Sequence, residues 1–474
     1  MKWILSLCLL MAGPVFSQDQ DSVDLSEAYN LVEIWLDGQK DYDGLPGISA
    51  AIVQDQDLVW FGGFGFADEE NQVPAEATTI YSICSISKLF TSIALMQLWE
   101  AGKIRLDDPL ADDLSWFDLP QSYDDSVPIT LRSILTHSSG LPRESDFPYW
   151  NGPQFTFPTT RQIREKLKDQ ETLYPANTYF QYSNLGMTLL GDVVAEQSGE
   201  SFQSYVESHV LQPLKLTDTH PFLPKKEWGR KMAVGYTAID RERKRKRLPL
   251  FDVQGLTPAA GFSSSVEDLG RFASWVFRLR TEGGAEVLKA STLKEMQRVQ
   301  WMNPDWETTW GLGFAVYQKN GETVVGHGGS CPGYRSTIMM LPEKKEAYIT
   351  MVNAQGVSAS KYANGMKAIL DAWRKGKTSS DSVLFKAGDY TGHYDSQPWW
   401  DELVVVPWKG GLALFWLPSD NPKEDITSIK FMEGDTFRRV RDNGELGEEI
   451  VFERNRKGQV TRLWWESGYY DKIR

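Results

Sequence analysis

A serine followed three residues later by a lysine places a hydroxyl and an amine one helical turn apart on the same face. If that amine is desolvated among cations or dipoles, it gives up its proton and can take the serine's, making the hydroxyl a nucleophile. Three such tetrads occur: Ser85 to Lys88, Ser291 to Lys294, and Ser358 to Lys361. Their surroundings separate them. Ser85 begins a stretch to Ala101 that is apolar almost all round (Leu89, Phe90, Ile93, Leu95, Met96, Leu98, Trp99), with Gly102 where a helix would stop. Free N–H groups and the dipole at the start of such a buried helix stabilise a developing oxyanion. The other two tetrads fall in polar helices, where lysine is an ordinary solvated residue. Ser85 is the expected nucleophile and Lys88 its base; the plainer role for Ser85 is a helix N-cap.

Two further elements carry groups that suit this chemistry. In Tyr182-Ser-Asn184 a phenol near a lysine can relay protons, and an asparagine amide can hold both the lysine and a substrate carbonyl. Tyr-x-Asn recurs at Tyr149 and Tyr362, so the triplet alone discriminates little. His327-Gly-Gly329 follows the strand-like Val324-Val325 and leads into Ser330-Cys-Pro-Gly333; glycine pairs on a strand let backbone approach a ligand closely. The alternative for His327 is a structural histidine in a tight turn. His137, in Thr136-His-Ser-Ser-Gly140, reads as part of a structural turn beside the cleft rather than as a triad histidine. No Gly-x-Ser-x-Gly elbow is present, which argues against an α/β-hydrolase design.

Taken in order, Ser85-x-x-Lys88, Tyr182-x-Asn184 and His327-Gly-Gly329 resemble the serine β-lactamase and penicillin-binding-protein superfamily, in its class C-like and esterase/D-aminopeptidase branch. Leu135-Thr-His-Ser-Ser-Gly-Leu-Pro142, Leu189-Leu-Gly191, Gly261-Phe-Ser-Ser264 before Asp268-Leu269, and Trp310-Gly-Leu-Gly313 are similar to that family as well. The resemblance covers roughly Gly44 to Asn353. It implies an α/β (α+β) fold, an antiparallel sheet flanked by helices with an all-helical subdomain, and a site in the cleft between them. It further implies that Ser85 attacks an ester, amide or lactam carbonyl with Lys88 as base. Tyr182 would protonate the leaving group or activate the deacylating water, Asn184 would orient Lys88 and the substrate, and the N–H groups of Ser85 and Ser330 would form the oxyanion hole. His327, Gly328 and Gly329 would line the substrate side. Many members carry Lys-Thr-Gly where this chain has His327-Gly328-Gly329, and a histidine is only partly charged near neutrality. Grip on an anionic β-lactam should therefore be weaker, which favours esterase, D-amino-acid peptidase or amidase activity.

The elements that must position these groups are visible as patterns. A helix-like stretch from Leu25 to Leu36 leads into strand-like runs at Gly47 to Val53 and Leu58 to Phe66. Thr323 to Gly326, Ser336 to Leu341 and Ala347 to Val352 read as three more strands. Gly376 to Ser382 is polar and reads as a linker. Beyond it, short alternating runs (Leu403 to Val406, Leu412 to Leu417, Ile450 to Glu453, Val460 to Trp464) suggest a separate antiparallel β domain, a small barrel or curled sheet. The expected division is a signal peptide at 1–17, a β-lactamase-like domain at 18–376, a linker at 377–382 and a β domain at 383–474.

Composition bounds the rest. The 474 residues are 41% hydrophobic and 24% charged, an ordinary globular balance that excludes disordered, collagen-like and coiled-coil chains. A net charge of −14 disfavours a nucleic-acid partner, whose phosphates the average surface would repel. The expected partner is a small-molecule or peptide substrate. The first residues resemble a secretory signal, with Lys2, an apolar Trp3 to Met11 and small residues ending near Ser17, so a periplasmic or extracellular location is expected. That apolar run is half the length of a membrane span, so no transmembrane anchor is expected. The five histidines are far apart and form no metal-ligand spacing, so neither metal nor cofactor is expected. Of the three cysteines, Cys84 and Cys331 are expected as two buried thiols, with a bridge between them as the alternative. The basic run Arg241 to Arg247 reads as a solvated loop. Among 18 Trp, those of the tail are expected mainly as core of the β domain. A non-catalytic penicillin-recognising sensor and a carbohydrate-associated accessory protein are the competing functions.

Overall fold

The computed structural model describes residues 24–376, 378, 381, 384–399 and 401–474. The expected signal segment, most of the expected linker, Cys8 and Trp400 lie outside the described residues. Strand β1 (Gly47–Gln54) shows why its sequence is apolar without alternation. Ile48, Ala50 and Ile52 enter one hydrophobic cluster, while Ala51 and Val53 enter another on the opposite face. A strand buried on both sides must be central, and it is: β2 (Asp57–Asp68) pairs with one edge and β6 (Glu346–Val352) with the other. The sheet continues through β5 (Tyr334–Leu341), β4 (Glu322–Cys331) and β3 (Ala315–Lys319), every pairing antiparallel, and two-residue strands extend both ends.

Helices cover both faces. On one side α2 (Ser87–Glu100), α3 (Asn184–Ser198) and α4 (Val266–Glu282) share a core with the sheet and with the loops and short helices between them. On the other side lie α1 (Ser26–Tyr42) and α5 (Ala359–Lys375), in contact with each other and with Ile48, Tyr348 and Val352 of the sheet. The fold is thus mixed α and β with an antiparallel sheet, as the family resemblance implies.

The C-terminal residues form a closed barrel of eight antiparallel strands in chain order, β7 (Gly392–Asp395) to β14 (Gly468–Lys472), closed by Tyr394 opposite Lys472. Inward residues such as Tyr394, Leu403, Leu414, Phe437, Phe452 and Leu463 fill its centre, as expected for so few strands. Outward residues of β8 (Glu402–Trp408) and β9 (Gly411–Leu417), including Val404, Val406, Phe415 and Leu417, instead join the cluster built on α1 and α5. Trp35 Nε1 donates to the carbonyl of Ser419 at 3.0 Å, and Trp373 meets Trp408 edge to face at 5.1 Å. The barrel is therefore seated on the rear of the sheet by an apolar seam.

The basic run departs from the solvated loop expected of it. Arg245 donates to the carbonyls of Gly44, Thr237 and Gln355, and Arg247 reaches Asp68 and Glu70. These backbone carbonyls and carboxylates need partners once half-buried, so the loop is stapled down by two of its cations while its outer residues stay exposed.

Candidate active site

Ser85 sits in a short 3₁₀ turn, Cys84–Ile86, that runs directly into α2. Residues in such a first turn keep N–H groups with no helical acceptor. Cys84 enters the turn at φ +53°, a left-handed conformation unusual for a side-chain-bearing residue. Several contacts hold it there. Ser87 Oγ donates to the Cys84 carbonyl at 2.5 Å and accepts from Phe262 N–H at 2.9 Å. Ser336 Oγ, reaching across from β5, donates to the Ile83 carbonyl at 2.9 Å.

The glycine pair of β4 divides its work. A Cβ on Gly329 would lie 2.2 Å from the Ile83 carbonyl oxygen, so this glycine lets the strand close onto the turn that holds Ser85 rather than onto a ligand. At Gly328 the nearest atom would be 3.8 Å away, which leaves the cleft side open. Immediately beyond, Cys331 is joined to Cys84 in a disulfide with Cα atoms 5.5 Å apart. This corrects the expectation of two free thiols: the same close approach that requires Gly329 brings the sulfurs together.

Lys88 is fully buried beneath the serine. Its Nζ is 3.2 Å from Ser85 Oγ and donates to Asn184 Oδ1 and to the Ala259 carbonyl, both at 2.8 Å. Burial drives its pKa well below the ordinary amine value, with Arg143 adding to the fall and the carboxylate of Glu144 opposing it. Tyr182 is half-buried in the cleft wall, and its pKa is raised by desolvation, an effect that the Ser85 side chain opposes. It stays a neutral phenol, 4.8 Å from Lys88 Nζ to ring centroid. His137 lies against it with ring centroids 4.2 Å apart and accepts from Ser183 N–H through Nδ1 at 3.2 Å, a structural part beside the cleft. Ser183 caps α3 by accepting from Gly186 N–H, which sets Asn184 in its first turn facing Lys88.

His327 departs from expectation. Its Nδ1 donates to the Gly328 carbonyl at 2.6 Å, which leaves a lone pair on Nε2, buried and unpartnered. Burial first, and Lys88 second, push its pKa down to about 3. The ring is neutral near pH 7, not partly charged.

These groups converge on one cleft of about 870 Å³. Ser85, Tyr182, Asn184, His327, Gly328, Gly329 and Ser330 line it, and Lys88 lies just below. All eight residues singled out by the sequence are thus brought together. The other tetrads are not. Lys361 is held by Asp43 and Asp420, although Ser358 lines the far end of the cleft, and Lys294 lies in the separate helix Ala290–Met296. Sequence reasoning missed three cleft residues. Arg143 and Glu144 form an ion pair at 3.3 Å, and Glu144 accepts from Asn184 Nδ2 at 2.8 Å. Arg335, opposite Ser330 in the β4–β5 ladder, has a buried Nε without a partner and no ion pair among the described residues. No spacing marks any of them; only the fold carries them to the cleft that Ser85 lines. Among the described residues no cluster of His, Cys, Asp and Glu could hold a metal, and no helix is long and apolar enough to cross a membrane.

The beta-lactamase family profile matches residues 35–370. The chain is 26% identical over 336 residues to Beta-lactamase-like protein 2 of Dictyostelium discoideum, a match spanning 68% of this chain and 59% of that protein's length. It is also similar to the octameric penicillin-binding protein homologue of Pyrococcus abyssi, with a TM-score of 0.65, 25% identity, and coverage of 94% of this chain and 99% of that one. The D-amino acid amidase of Ochrobactrum anthropi shares the fold at a TM-score of 0.60 and 23% identity, over 73% of this chain and 97% of the amidase. With the Ser85 turn and the glycine-paired strand at one cleft, the buried Lys88 beneath them and the family profile over most of its length, the chain belongs to the beta-lactamase family.

Proposed function

We propose that this protein is an exported serine hydrolase that cleaves an ester or amide through an acyl-enzyme on Ser85. One observation carries the reading: the geometry of the Lys88 amine. A neutral amine has two hydrogens and one lone pair. Asn184 Oδ1 and the Ala259 carbonyl accept the two hydrogens, and the remaining direction faces Ser85 Oγ at 3.2 Å. Lys88 takes the Ser85 proton as Oγ bonds to the substrate carbonyl carbon. The tetrahedral oxyanion is received by the N–H groups of Ser85 and Ser330. Pro332-Gly333 makes a two-residue turn closed by Cys331 and Tyr334, so ladder alternation turns the Ser330 N–H away from β5, past the point where β3 stops pairing at Gly326. The Tyr182 phenol, a donor at working pH, protonates the leaving oxygen or nitrogen and recovers its proton from Lys88. Water then enters and gives a proton to the same pair as its oxygen bonds to the acyl carbon, and the pair returns that proton to Ser85 Oγ as the bond to the acyl group breaks and the acid leaves.

A neutral His327 where many relatives place a lysine disfavours efficient β-lactam hydrolysis. Arg335 is the cation left to meet an acidic substituent. Export is supported by the character of residues 1–17 and by a disulfide, which suits an oxidising compartment. The test is labelling with a fluorophosphonate, together with turnover of p-nitrophenyl esters, D-amino-acid amides and a cephalosporin. Ser85→Ala should abolish label and turnover, and Lys88→Ala should slow acylation about 10²–10⁴-fold. Label retained by Ser85→Ala would exclude this nucleophile.

A further inference from the structure

We propose that Glu144 is a positioning residue for acyl transfer: its carboxylate fixes which way the Asn184 amide faces, and thereby where the Lys88 lone pair points. The proposal rests on the reading of Lys88 as the base that takes the Ser85 proton.

An asparagine side chain has an acceptor and a donor of nearly equal shape, and a half-turn exchanges them. Only the partners decide. Glu144 Oε1, 2.8 Å from Asn184 Nδ2, can accept and cannot donate. It therefore holds the amide nitrogen on its own side and leaves Oδ1 for Lys88, 2.8 Å away. Glu144 is held in turn. The buried Tyr149 donates its hydroxyl to Oε2, and Arg143 Nε stands 3.3 Å from Oε1. The relay reads Tyr149, Glu144, Asn184, Lys88, Ser85, each contact with its donor and acceptor assigned.

Inverting the amide breaks the logic of the amine. Nδ2 would then present a hydrogen to Lys88, and the lone pair would turn toward it to accept. The amine would face Ser85 with a hydrogen instead of a lone pair, and no proton could leave Oγ in that direction. A glutamine at 144 permits this inversion, because its own amide can donate to Asn184 Oδ1. The carboxylate has a second, separable effect. Its charge favours the Lys88 ammonium, against burial, so its removal makes Lys88 easier to deprotonate. A residue that merely supports the fold would not move that titration.

The test uses the full chain and follows the rate of Ser85 labelling by a fluorophosphonate, and of p-nitrophenyl ester turnover, from pH 5 to 10. Glu144→Gln should slow labelling about tenfold or more, the size expected when one member of a coupled network is lost, while its acid limb shifts to lower pH. Glu144→Asp retains the charge and should leave the limb where it is in the parent. In an Asn184→Ala background Glu144→Gln should bring no further slowing, since its route of action is gone. An unchanged rate and limb in Glu144→Gln, or a full additional loss on top of Asn184→Ala, would overturn the proposal. If Glu144→Gln does not fold, Tyr149→Phe loosens the same carboxylate and should slow labelling to a smaller extent; no slowing would count against the relay. A parent protein that takes no label at Ser85 would sink the nucleophile reading and this proposal with it, and shows before any variant is compared.

Discussion

Cys84 and Cys331 are bonded across 247 residues of sequence, and each adjoins a residue of the cleft wall: Cys84 precedes Ser85 and Cys331 follows Ser330. The bridge therefore ties the Ser85 turn to the end of β4, the two segments whose N–H groups receive the oxyanion in the proposed mechanism. Cys84 also holds a left-handed conformation that its neighbours alone must otherwise maintain.

Replacing both cysteines by serine should lower the melting temperature by several degrees, since the closed loop is long and the bond constrains the unfolded chain. The rate of Ser85 labelling should fall with it, because the turn and the strand are then free to separate. Differential scanning fluorimetry and labelling kinetics, on the parent and the double variant, check both. Two titratable thiols in the native unreduced parent would remove the bond from the account.

The chemistry-bearing spacing was legible because it lives on single elements. Ser85 and Lys88 keep their one-turn relationship on whatever helix they occupy, and Tyr182 and Asn184 flank one cap. The sheet was legible for a similar reason: Gly47 to Val53 is apolar without alternation because both of its faces are covered. The bridge, Glu144 and Arg335 were not, since each matters only through a partner remote in the chain. Nor were all the barrel strands. Ile426–Glu433 carries exposed charges, Thr436–Val440 carries half-buried ones, and both pair through register shifts near Phe431 and Arg438, which blurs the two-residue period. The charge state of His327 was misread for the same cause, because an imidazole on an unplaced strand carries its ordinary pKa.

That buried imidazole gives the fold a pH dependence with a definite sign. His327 titrates near 3 when folded and near 6.5 when free, so between those values the unfolded chain binds more protons. Its contribution is fully present above pH 6.5 and is lost as pH falls toward 3. His137 is shifted in the same direction by burial and by Lys88. Replacing His327 with asparagine should flatten part of the fall in melting temperature across that range while leaving the neutral-pH limb little changed. An acid limb identical to the parent would show that His327 is not held neutral.

Arg335 should decide preference among acyl substrates. Arg143, which lines the same cleft, is paired with Glu144, and His327 is neutral, so Arg335 is the guanidinium of the cleft with no carboxylate partner among the described residues. A charge-assisted contact between a guanidinium and a ligand carboxylate contributes about 1.5–3 kcal/mol. Arg335→Gln removes the charge and keeps much of the length. For a p-nitrophenyl ester with a free carboxylate on the acyl chain, kcat/KM should fall about tenfold or more, mostly through KM. For the matching neutral ester it should stay within about twofold, because Ser85, Lys88 and Tyr182 are untouched. Raising the salt concentration should narrow the gap between the two substrates in the parent and have little effect in the variant. Equal losses on both esters would mean that Arg335 supports the β4–β5 ladder, and that an acidic group is not what the cleft selects.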